Sequence, residues 1–290
     1  MRSLRKYTTF DIFNHILLAV ISLICLLPML HILAVSLSGN GPAAQYIVGL
    51  WPVEFTTIAY ETVMKQARFW SSFFVSIERV LLGVAINMLI TIMMAYPLSK
   101  ETSTFRGRNI YIWVIVFTML FGGGLIPSYM VIKNLHMLDT IWALVLPGAV
   151  PVFNVILMIN FIRQLPKQLE EASVVDGASQ WMIMSRVTVP LSLPVIATVT
   201  LFSAVGHWNA WFDGLIYMNT PTNYPLQTYL HTVLASRNLI NADQQTVMQT
   251  LTDRTSISAQ IILASTPILI VYPFLQKYFI HGIVMGSVKE

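Results

Sequence analysis

The chain has 290 residues, of which 56% are hydrophobic and only 10% are Asp, Glu, Lys or Arg. Soluble domains carry roughly 25% charged residues, so this composition argues against soluble globular, disordered and nucleic-acid-binding proteins. The formal net charge is +4, but the basic residues lie at the ends of apolar stretches, where they indicate membrane topology. The single cysteine, Cys25, lies in an apolar run and leaves no disulfide framework or Cys-based zinc site.

Seven charge-free stretches of 20 to 42 residues divide the sequence. A bilayer core of about 30 Å requires roughly 20 apolar residues at about 1.5 Å rise each, and six stretches meet this requirement. We therefore expect membrane-spanning helices over residues 12–37, 71–98, 110–132, 140–162, 187–213 and 259–279. The remaining stretch contains Asn219, Pro221 and Asn223, which would leave polar groups unpaired in lipid, so we assign residues 214–258 to an extramembrane loop.

The first stretch also has features of a cleaved signal peptide. Arg2, Arg5 and Lys6 precede it, and Ala34-Val35-Ser36 resembles a small-residue cleavage site. Its apolar core, residues 16–35, is longer than the roughly 7–15 residues of a signal peptide, which favours a retained helix.

The distribution of Lys and Arg predicts the orientation. With the N-terminus inside, 11 basic residues face the cytoplasm and 5 face the other side, so we expect both termini in the cytoplasm. The cytoplasmic set is Arg2, Arg5, Lys6, Lys100, Arg106, Arg108, Arg163, Lys167, Arg186, Lys277 and Lys289, and the outer set is Lys65, Arg68, Lys133, Arg237 and Arg254. This orientation places residues 164–186 in the cytoplasm and residues 214–258 outside.

The segment between the fourth and fifth spans is unusually polar. Pro166 suits a first helical turn, Glu170 and Glu171 follow it, and Gly177 provides the permissive backbone that ends a short helix. The pattern predicts a helix, a glycine stop and a second helix. Lipid-binding amphipathic helices favour basic polar faces, whereas this face is acidic, so docking into a partner protein is the favoured interpretation.

This segment resembles a known motif. Glu171-Ala172-Ser173, then Asp176-Gly177-Ala178, then Pro190 and Pro194 are similar to the EAA loop of integral-membrane subunits of binding-protein-dependent ABC importers. The family pattern is Glu-Ala-Ala, two residues, Asp-Gly-Ala and two spaced prolines, and this chain departs from it at Ser173. The substitution exchanges one small residue for another.

Further segments resemble the carbohydrate branch of that family, related to the maltose system. They are Met94–Ser99, His207-Trp208-Asn209 with Trp211, and Gly282–Lys289. The resemblance implies an all-α membrane protein with six transmembrane helices and the type I ABC importer fold. It further implies an ATP-driven sugar importer, carrying oligosaccharides, among them acidic polysaccharide fragments, in the bacterial cytoplasmic membrane.

In that family the EAA helix is the coupling helix, which sits in a cleft of a cytoplasmic ATPase. The resemblance implies coupling residues Glu170, Glu171, Ala172, Ser173, Asp176, Gly177 and Ala178. The alternative is an ordinary solvated loop. Residues 286–290 either reach towards the ATPase or form a frayed tail.

No phosphate-binding loop of the form Gly-x-x-x-x-Gly-Lys-Ser/Thr occurs in the sequence, so ATP would be bound by other subunits and this chain would hold no cofactor. The resemblance implies a second permease subunit in a heterodimer, two ATP-binding subunits and an extracytoplasmic sugar-binding protein as partners. Membrane lipid is a further partner, and nucleic acid is not expected. The outer loop would contact the binding protein.

Polar groups within spans are candidates for the substrate path. Glu78 and Arg79 are adjacent and point about 100° apart on a helix, so they cannot pair well with each other. One interpretation is that they snorkel to water near the end of the span, without a functional role. The other is that Arg79 faces the path and helps to hold an acidic sugar.

A second polar cluster ends the fifth span. Trp208, Asn209 and Asp213 combine ring stacking with hydrogen-bond acceptors, which suits sugars, although an interfacial aromatic belt explains the same pattern. We favour the belt for Trp211 and the path for Asn209. The six histidines lack metal-ligand spacing, so no metal site is expected.

Gly122-Gly123-Gly124 interrupts the third span. Such a run either kinks a helix or permits close packing, and we favour close packing.

Two other functional classes compete with the importer. An ion-coupled secondary transporter would normally carry acidic residues at the bilayer midplane, and only Glu78 and Asp213 are candidates. A membrane-embedded enzyme would require a metal motif or a nucleophile with its base, and no such pattern is evident.

Overall fold

The computed structural model describes residues 8–240, 254–271 and 273, and the regular structure in these residues is helical throughout. The helices are α1 Thr9–Ser36, α2 Asn40–Ala44, α3 Ile58–Met64, α4 Ala67–Ser99, α5 Arg108–Leu120, α6 Leu125–Asn134, α7 Ile141–Val145, α8 Val152–Ile162, α9 Lys167–Val175, α10 Gln180–Ile183, α11 Val189–Leu191, α12 Leu193–Asn209, α13 Phe212–Tyr217, α14 Leu226–Ile240 and α15 Arg254–Val271. A 3₁₀ turn, Leu146–Gly148, follows α7, and a π-helical turn, Met184–Thr188, joins α10 to α11.

Three of these helices, α1, α4 and α15, are individually long and apolar enough to cross a membrane. Three bent pairs raise the number of candidate spans to as many as six: α5 with α6, α7 with α8, and the segment from α10 to α11 with α12. The all-helical membrane fold is confirmed. Arg2, Arg5 and Lys6, which support the predicted orientation, and the tail at 282–290 lie outside the described residues.

The chain divides into two compact units, one formed by residues 1–69 and 232–266 and the other by residues 70–231 and 267–290. In the first unit, α1 begins with a capping box: Thr8 N donates to Asp11 Oδ2 (2.8 Å), and Asp11 N donates to Thr8 Oγ1 (3.3 Å). Most of α1 is apolar on every side and exposed, as expected of a helix in lipid. Only its end, Ala34–Ser36, is buried, with the apolar side chains packed against Ala43 and Val48.

The second unit is built on α4, α8 and α12. Their facing apolar side chains form a core that includes Ala95, Val155, Met158 and Val199, each at most 1% exposed. This packing fixes the spacing of the three helices that carry the polar residues discussed below.

The third predicted span is broken at the glycines. Gly123 and Gly124 have φ of +65° and +94°, which only glycine adopts readily, and α5 and α6 meet there at 109°. An added Cβ at Gly122 or Gly123 would meet no heavy atom within 4 Å among the described residues. The expectation of close packing is therefore wrong, because these glycines serve backbone conformation.

Two other predicted spans are also bent. Residues 140–162 comprise α7, the 3₁₀ turn and α8, with a bend of 45°. The predicted span 187–213 contains a bend of 80° at Ser192 and a second break at Ala210, so its straight portion is only α12. The prolines at 190 and 194 lie on either side of the first bend, where each lacks a backbone N–H donor.

The predicted loop 214–258 is largely helical among its described residues. Its polar and proline-rich part ends at Pro225, and α14 then begins at Leu226, while α15 begins at Arg254, earlier than the predicted span. Residues 219–225 include two asparagines and two prolines, which favour turns, and they gave no indication of the helix that follows them.

Candidate functional site

A cavity of about 550 Å³ lies within the second unit, between α4, α7, α8, α12 and α13. Its polar side chains come from four of these helices. They are Arg79, Asn87, Asn154, Ser203, His207 and Asp213. All except Asp213 are buried, so polar groups line a space within an otherwise apolar helix assembly.

Arg79 forms the ion pair of this cavity. Its side chain is 3% exposed, Nη1 donates to Asp213 Oδ1 (3.1 Å), and Nη2 donates to Asp213 Oδ2. The two remaining contacts are backbone carbonyls, Ala210 O at 3.3 Å and Leu144 O at 3.4 Å. Planar, bidentate pairing of this kind is what guanidinium and carboxylate groups favour.

The break between α12 and α13 creates this arrangement. Because the chain leaves helical geometry at Ala210, that carbonyl is free to accept from Arg79, and α13 then presents Asp213. The interpretation in which Arg79 snorkels to water is wrong, because its charge is buried and paired with Asp213 inside the protein. The same contacts mean that Arg79 lines the cavity with its charge already paired.

Asn87 and His207 join α4 to α12. In the Asn87 amide orientation that satisfies both ends, Oδ1 accepts from His207 Nε2 (3.2 Å), and Nδ2 donates to the Gly83 and Gly148 carbonyls (3.2 Å each). A Cβ at Gly83 would lie 2.4 Å from His207 Nε2. Glycine at this position therefore allows the imidazole to lie directly against α4.

Asn154 connects α8 to α12 in a similar way. Its Nδ2 donates to Ser203 Oγ (3.1 Å) and to the Val199 carbonyl (3.4 Å). Asn87, Asn154 and Ser203 did not appear among the sequence-predicted site residues. Each is an uncharged polar residue within an apolar span, and the cost of such groups in lipid was the available signal.

The structure separates the other predicted path residues from this cavity. Glu78 and Asn209 are exposed and do not line it. Trp208 is buried and meets Phe73 edge-on at a ring-centroid distance of 5.9 Å. Trp211 stacks on His231 at 4.0 Å. Of the predicted set, only Arg79 and Asp213 come together.

Hydrogen bonds to Asp139 connect the end of α13 to the turn between α6 and α7. Asp139 Oδ1 accepts from the backbone N–H groups of Asn219 and Thr220 (3.1 Å each), and Asp139 N donates to Tyr217 O (2.9 Å). Burial raises the pKa of Asp139, but the hydrogen bonds from Thr220 and its neighbours outweigh it, so the net pKa is below its usual value. These hydrogen bonds fix the position of α13, the helix that carries Asp213.

The other end of α4 holds the predicted coupling segment. Lys100 forms an ion pair with Glu170, and its Nζ lies 4.1 Å from the centre of the Tyr96 ring. Tyr96 Oη donates to Gln180 Oε1 (2.8 Å), which ties α10 to the same helix end. Two helices of the coupling segment are therefore attached to α4.

Two further basic residues strengthen this attachment. Lys167 pairs with Glu101, and this hydrogen bond lowers the pKa of Glu101 and raises the pKa of Lys167. Arg163 donates to the last carbonyls of α4, Leu98 O (3.3 Å) and Ser99 O (3.4 Å). A cation at this position also interacts favourably with the negative end of the helix dipole.

The predicted helix, glycine stop and second helix are confirmed. Gly177 has φ of +78°, Ala178 N donates to Ser173 O (3.0 Å) and Gly177 N donates to Val174 O (3.0 Å), the two bonds of a Schellman motif. Ser179 then caps α10 by accepting from Met182 N (3.3 Å).

The two glutamates of α9 have different surroundings. Glu170 faces the protein and is paired, whereas Glu171 is exposed. Val175, four residues after Glu171, shares its side of α9 and is 86% exposed, and the adjacent Ala172 is exposed as well. Trp181 and Met182 extend this exposed apolar surface onto α10.

Comparison with known proteins identifies the family. A sequence profile described as "Binding-protein-dependent transport system inner membrane component" matches residues 79–285, which include every residue of the cavity and of the coupling segment. The chain belongs to this family. It is therefore a multi-pass inner-membrane permease component of a transport system that depends on a binding protein, and it is not itself catalytic. Family membership decides against the ion-coupled carrier and the membrane-embedded enzyme.

Two relatives and one solved structure are similar over almost the whole chain. Protein LplC of Bacillus subtilis (strain 168) is 41% identical over 100% of this chain and 98% of the relative. The polygalacturonan/rhamnogalacturonan transport system permease protein YtcP of the same organism is 35% identical, over 98% and 99%. A chain of a bacterial ABC transporter involved in the import of the acidic polysaccharide alginate is 31% identical, with a TM-score of 0.83 over 94% of this chain and 99% of the other. The type I importer fold is thereby confirmed.

The Arg79–Asp213 pair predicts a non-additive pair of substitutions. Arg79→Gln or Asp213→Asn alone leaves one buried charge without its partner, which costs about 3 kcal/mol, the lower part of the usual range because Asp213 is 28% exposed. The double variant loses both charges and should cost clearly less than the sum. Thermal unfolding of the purified protein in detergent measures the three effects.

Glu78→Gln is the matched control, since it removes a charge from the exposed neighbour of Arg79 and should leave the unfolding midpoint unchanged. Additive losses in the double variant would show that the two side chains do not depend on each other.

Proposed function

We propose that this chain is the transmembrane subunit of an ATP-driven importer of oligosaccharides or polysaccharide fragments, acidic ones included. The similarity to an alginate importer chain at a TM-score of 0.83 and 31% identity, over nearly all of both chains, is the observation that carries the substrate class. The polygalacturonan/rhamnogalacturonan permease among the relatives supports the same class.

The proposed topology has six spans and both termini in the cytoplasm. The three bent helix pairs each count as one span in this topology, together with α1, α4 and α15. The partners are a second permease subunit in a heterodimer, two ATP-binding subunits and an extracytoplasmic sugar-binding protein.

The exposed side of α9 is the surface that we propose contacts the ATPase subunit. Glu171 would provide a charge-assisted contact, Ala172 would allow close approach, and Val175 would bury apolar area. The Schellman motif at Gly177 fixes the angle between α9 and α10, so both helices would move as one piece. Ser173, Asp176 and Ala178 belong to this turn, whereas Glu170 would hold α9 to the permease.

In this proposal α4 relays motion between the coupling segment and the cavity. Lys100 and Tyr96 attach its last turn to α9 and α10, and Arg79 attaches its other half to Asp213. Arg79 lies 20 residues before Ser99, the last residue of α4, or about 30 Å along the helix at about 1.5 Å per residue, and Lys100 follows directly. A displacement of α9 would be carried along a continuous helix to the carboxylate of α13.

The cavity is the proposed part of the translocation path in this subunit. Its volume lies within the roughly 300–1,000 Å³ of small-molecule sites. Asn87, Asn154, Ser203 and His207 offer hydrogen-bonding groups suited to sugar hydroxyls. The charges of Arg79 and Asp213 cancel, so these uncharged groups dominate the lining.

Glu171→Gln and Val175→Asp test the coupling surface. Each should lower both the ATPase retained with the purified permease and the ATP-dependent uptake by at least several-fold, because the first removes the polar anchor and the second places a charge in an apolar contact. Co-purification and uptake into reconstituted vesicles are the two measurements.

Glu61→Gln, the same substitution at an exposed glutamate in α3, is the control and should retain both activities. Full ATPase retention and uptake in both α9 variants would refute this coupling surface.

Gly206→Leu tests the path. A Cβ at Gly206 meets no heavy atom within 4 Å among the described residues, so leucine should enter the cavity without disturbing α12. We expect uptake of alginate and polygalacturonan oligosaccharides to fall by roughly tenfold or more, with an unchanged amount of assembled transporter, since misplaced bulk of this kind opposes substrate binding by a few kcal/mol.

Gly41→Leu in α2 is the matched control, because a Cβ there also meets open space but lies in the other unit. Uptake by Gly206→Leu equal to that of the control would exclude the cavity from the path.

A further inference from the structure

The segment after α1 presents an unusual exposed surface. Five large apolar side chains within residues 46–58, here termed the apolar loop, are each more than 60% exposed, and Trp51 reaches 83%. They are Tyr46, Ile47, Trp51, Phe55 and Ile58. Several large exposed apolar side chains within one structured segment normally mark a contact with lipid or with another protein.

The loop is held firmly in this conformation. Thr56 N donates to Leu37 O (3.0 Å), Gly39 N donates to Val53 O (3.0 Å), and Val53 N donates to Ser38 Oγ (3.0 Å). At its start, the Arg254 guanidinium lies 3.9 Å from the centre of the Tyr46 ring and donates to Ala43 O. The apolar side chains are therefore presented by ordered backbone.

The loop is also almost free of charge. The charge-free stretch that contains α1 runs for 42 residues, from Ile12 to Val53, and α1 accounts for it only as far as Ser36. Glu54 is the single charged residue of the loop, and it is turned back over Gly39, where an added Cβ would lie 2.6 Å from its Oε2. A surface facing water and a soluble partner would normally carry a polar, charged rim.

A contact between the apolar loop and α1 indicates how deep the loop would lie in the bilayer. His31 Nδ1 is hydrogen-bonded to Gly49 O at 2.8 Å, so the loop folds back beside the last turns of α1. The 28 residues of α1 span about 42 Å at about 1.5 Å each, roughly 12 Å more than the hydrocarbon core, which leaves about 6 Å at each end. His31 lies five residues, or about 7.5 Å, before Ser36 and therefore near the boundary between acyl chains and head groups.

We propose that the apolar loop inserts into the interfacial layer of the bilayer at the Ser36 end of α1, with phospholipid as its occupant. Tyr46 and Trp51 are amphipathic ring systems, the residue types that concentrate at this layer, while Ile47, Phe55 and Ile58 contact the upper acyl chains. The anchored loop fixes the depth of α1 in the membrane. This interaction is independent of the cargo and of the ATPase contact.

The test measures the depth of a label beside Trp51. Leu50→Cys in a Cys25→Ser background gives a single cysteine for an environment-sensitive fluorophore, and the assembled transporter is placed in phosphatidylcholine and phosphatidylglycerol nanodiscs. We expect shallow acyl-chain nitroxides to quench the label several-fold more than deep ones, and aqueous iodide to quench it only weakly. Thr102→Cys, in an exposed turn, serves as the water reference, and Leu23→Cys, midway along α1, serves as the deep reference.

Adding Trp51→Asp to the Leu50→Cys protein should shift quenching from the shallow nitroxide towards iodide, because the charge disfavours the interface. Iodide quenching equal to that at Thr102→Cys in the parent protein would overturn the proposal. Protection from iodide only after the sugar-binding protein is added would also overturn it, by assigning the surface to that partner.

Discussion

A charge buried among transmembrane helices must find its partner inside the protein, because lipid provides none and an unpaired charge costs several kcal/mol. Arg79 meets this requirement through Asp213 and two backbone carbonyls, one of which is available only because the helix breaks at Ala210. The ion pair thus holds α4, the end of α7 and the α12–α13 break in one arrangement. The cavity lies at the point where these elements meet, so its shape depends on this pair.

The same helix is attached at its other end to the coupling segment. At the end of α4, Lys100 pairs with Glu170 of α9, and Tyr96 donates a hydrogen bond to Gln180 of α10. Arg163, which precedes α9 in the chain, donates to the last carbonyls of α4. Glu170 and Glu171 consequently divide their roles: the paired glutamate would fasten α9 to the permease, while the exposed one would face the ATPase. A single residue type at adjacent helical positions can serve both contacts because neighbours on a helix point about 100° apart.

Sequence patterns predicted much of this architecture. Long apolar stretches indicated the spans, and Pro166, Gly177 and the spacing between them predicted the α9 turn, since these residues act on the local backbone. Breaks within spans were harder to predict. Gly122–Gly124 fits either packing or a kink, and nothing local to Ala210 indicates a break, whereas Pro190 and Pro194 flank the bend at Ser192 and are a local signal for it. The Arg79–Asp213 pair joins residues 134 positions apart. Such a partner follows from tertiary packing, and for this reason the sequence alone does not distinguish Glu78, Trp208 and Asn209, which lie away from the cavity, from the residues that line it.

Exchanging the charges of the Lys100–Glu170 pair tests most directly whether α4 carries motion from the coupling segment. Lys100→Glu places two carboxylates together, so the account predicts that the ATPase still binds but that ATP-dependent uptake falls several-fold. Lys100→Glu combined with Glu170→Lys restores an attraction of the same kind and should recover most of the uptake. Wild-type uptake in the single variant, or equal losses in the single and double variants, would contradict the account.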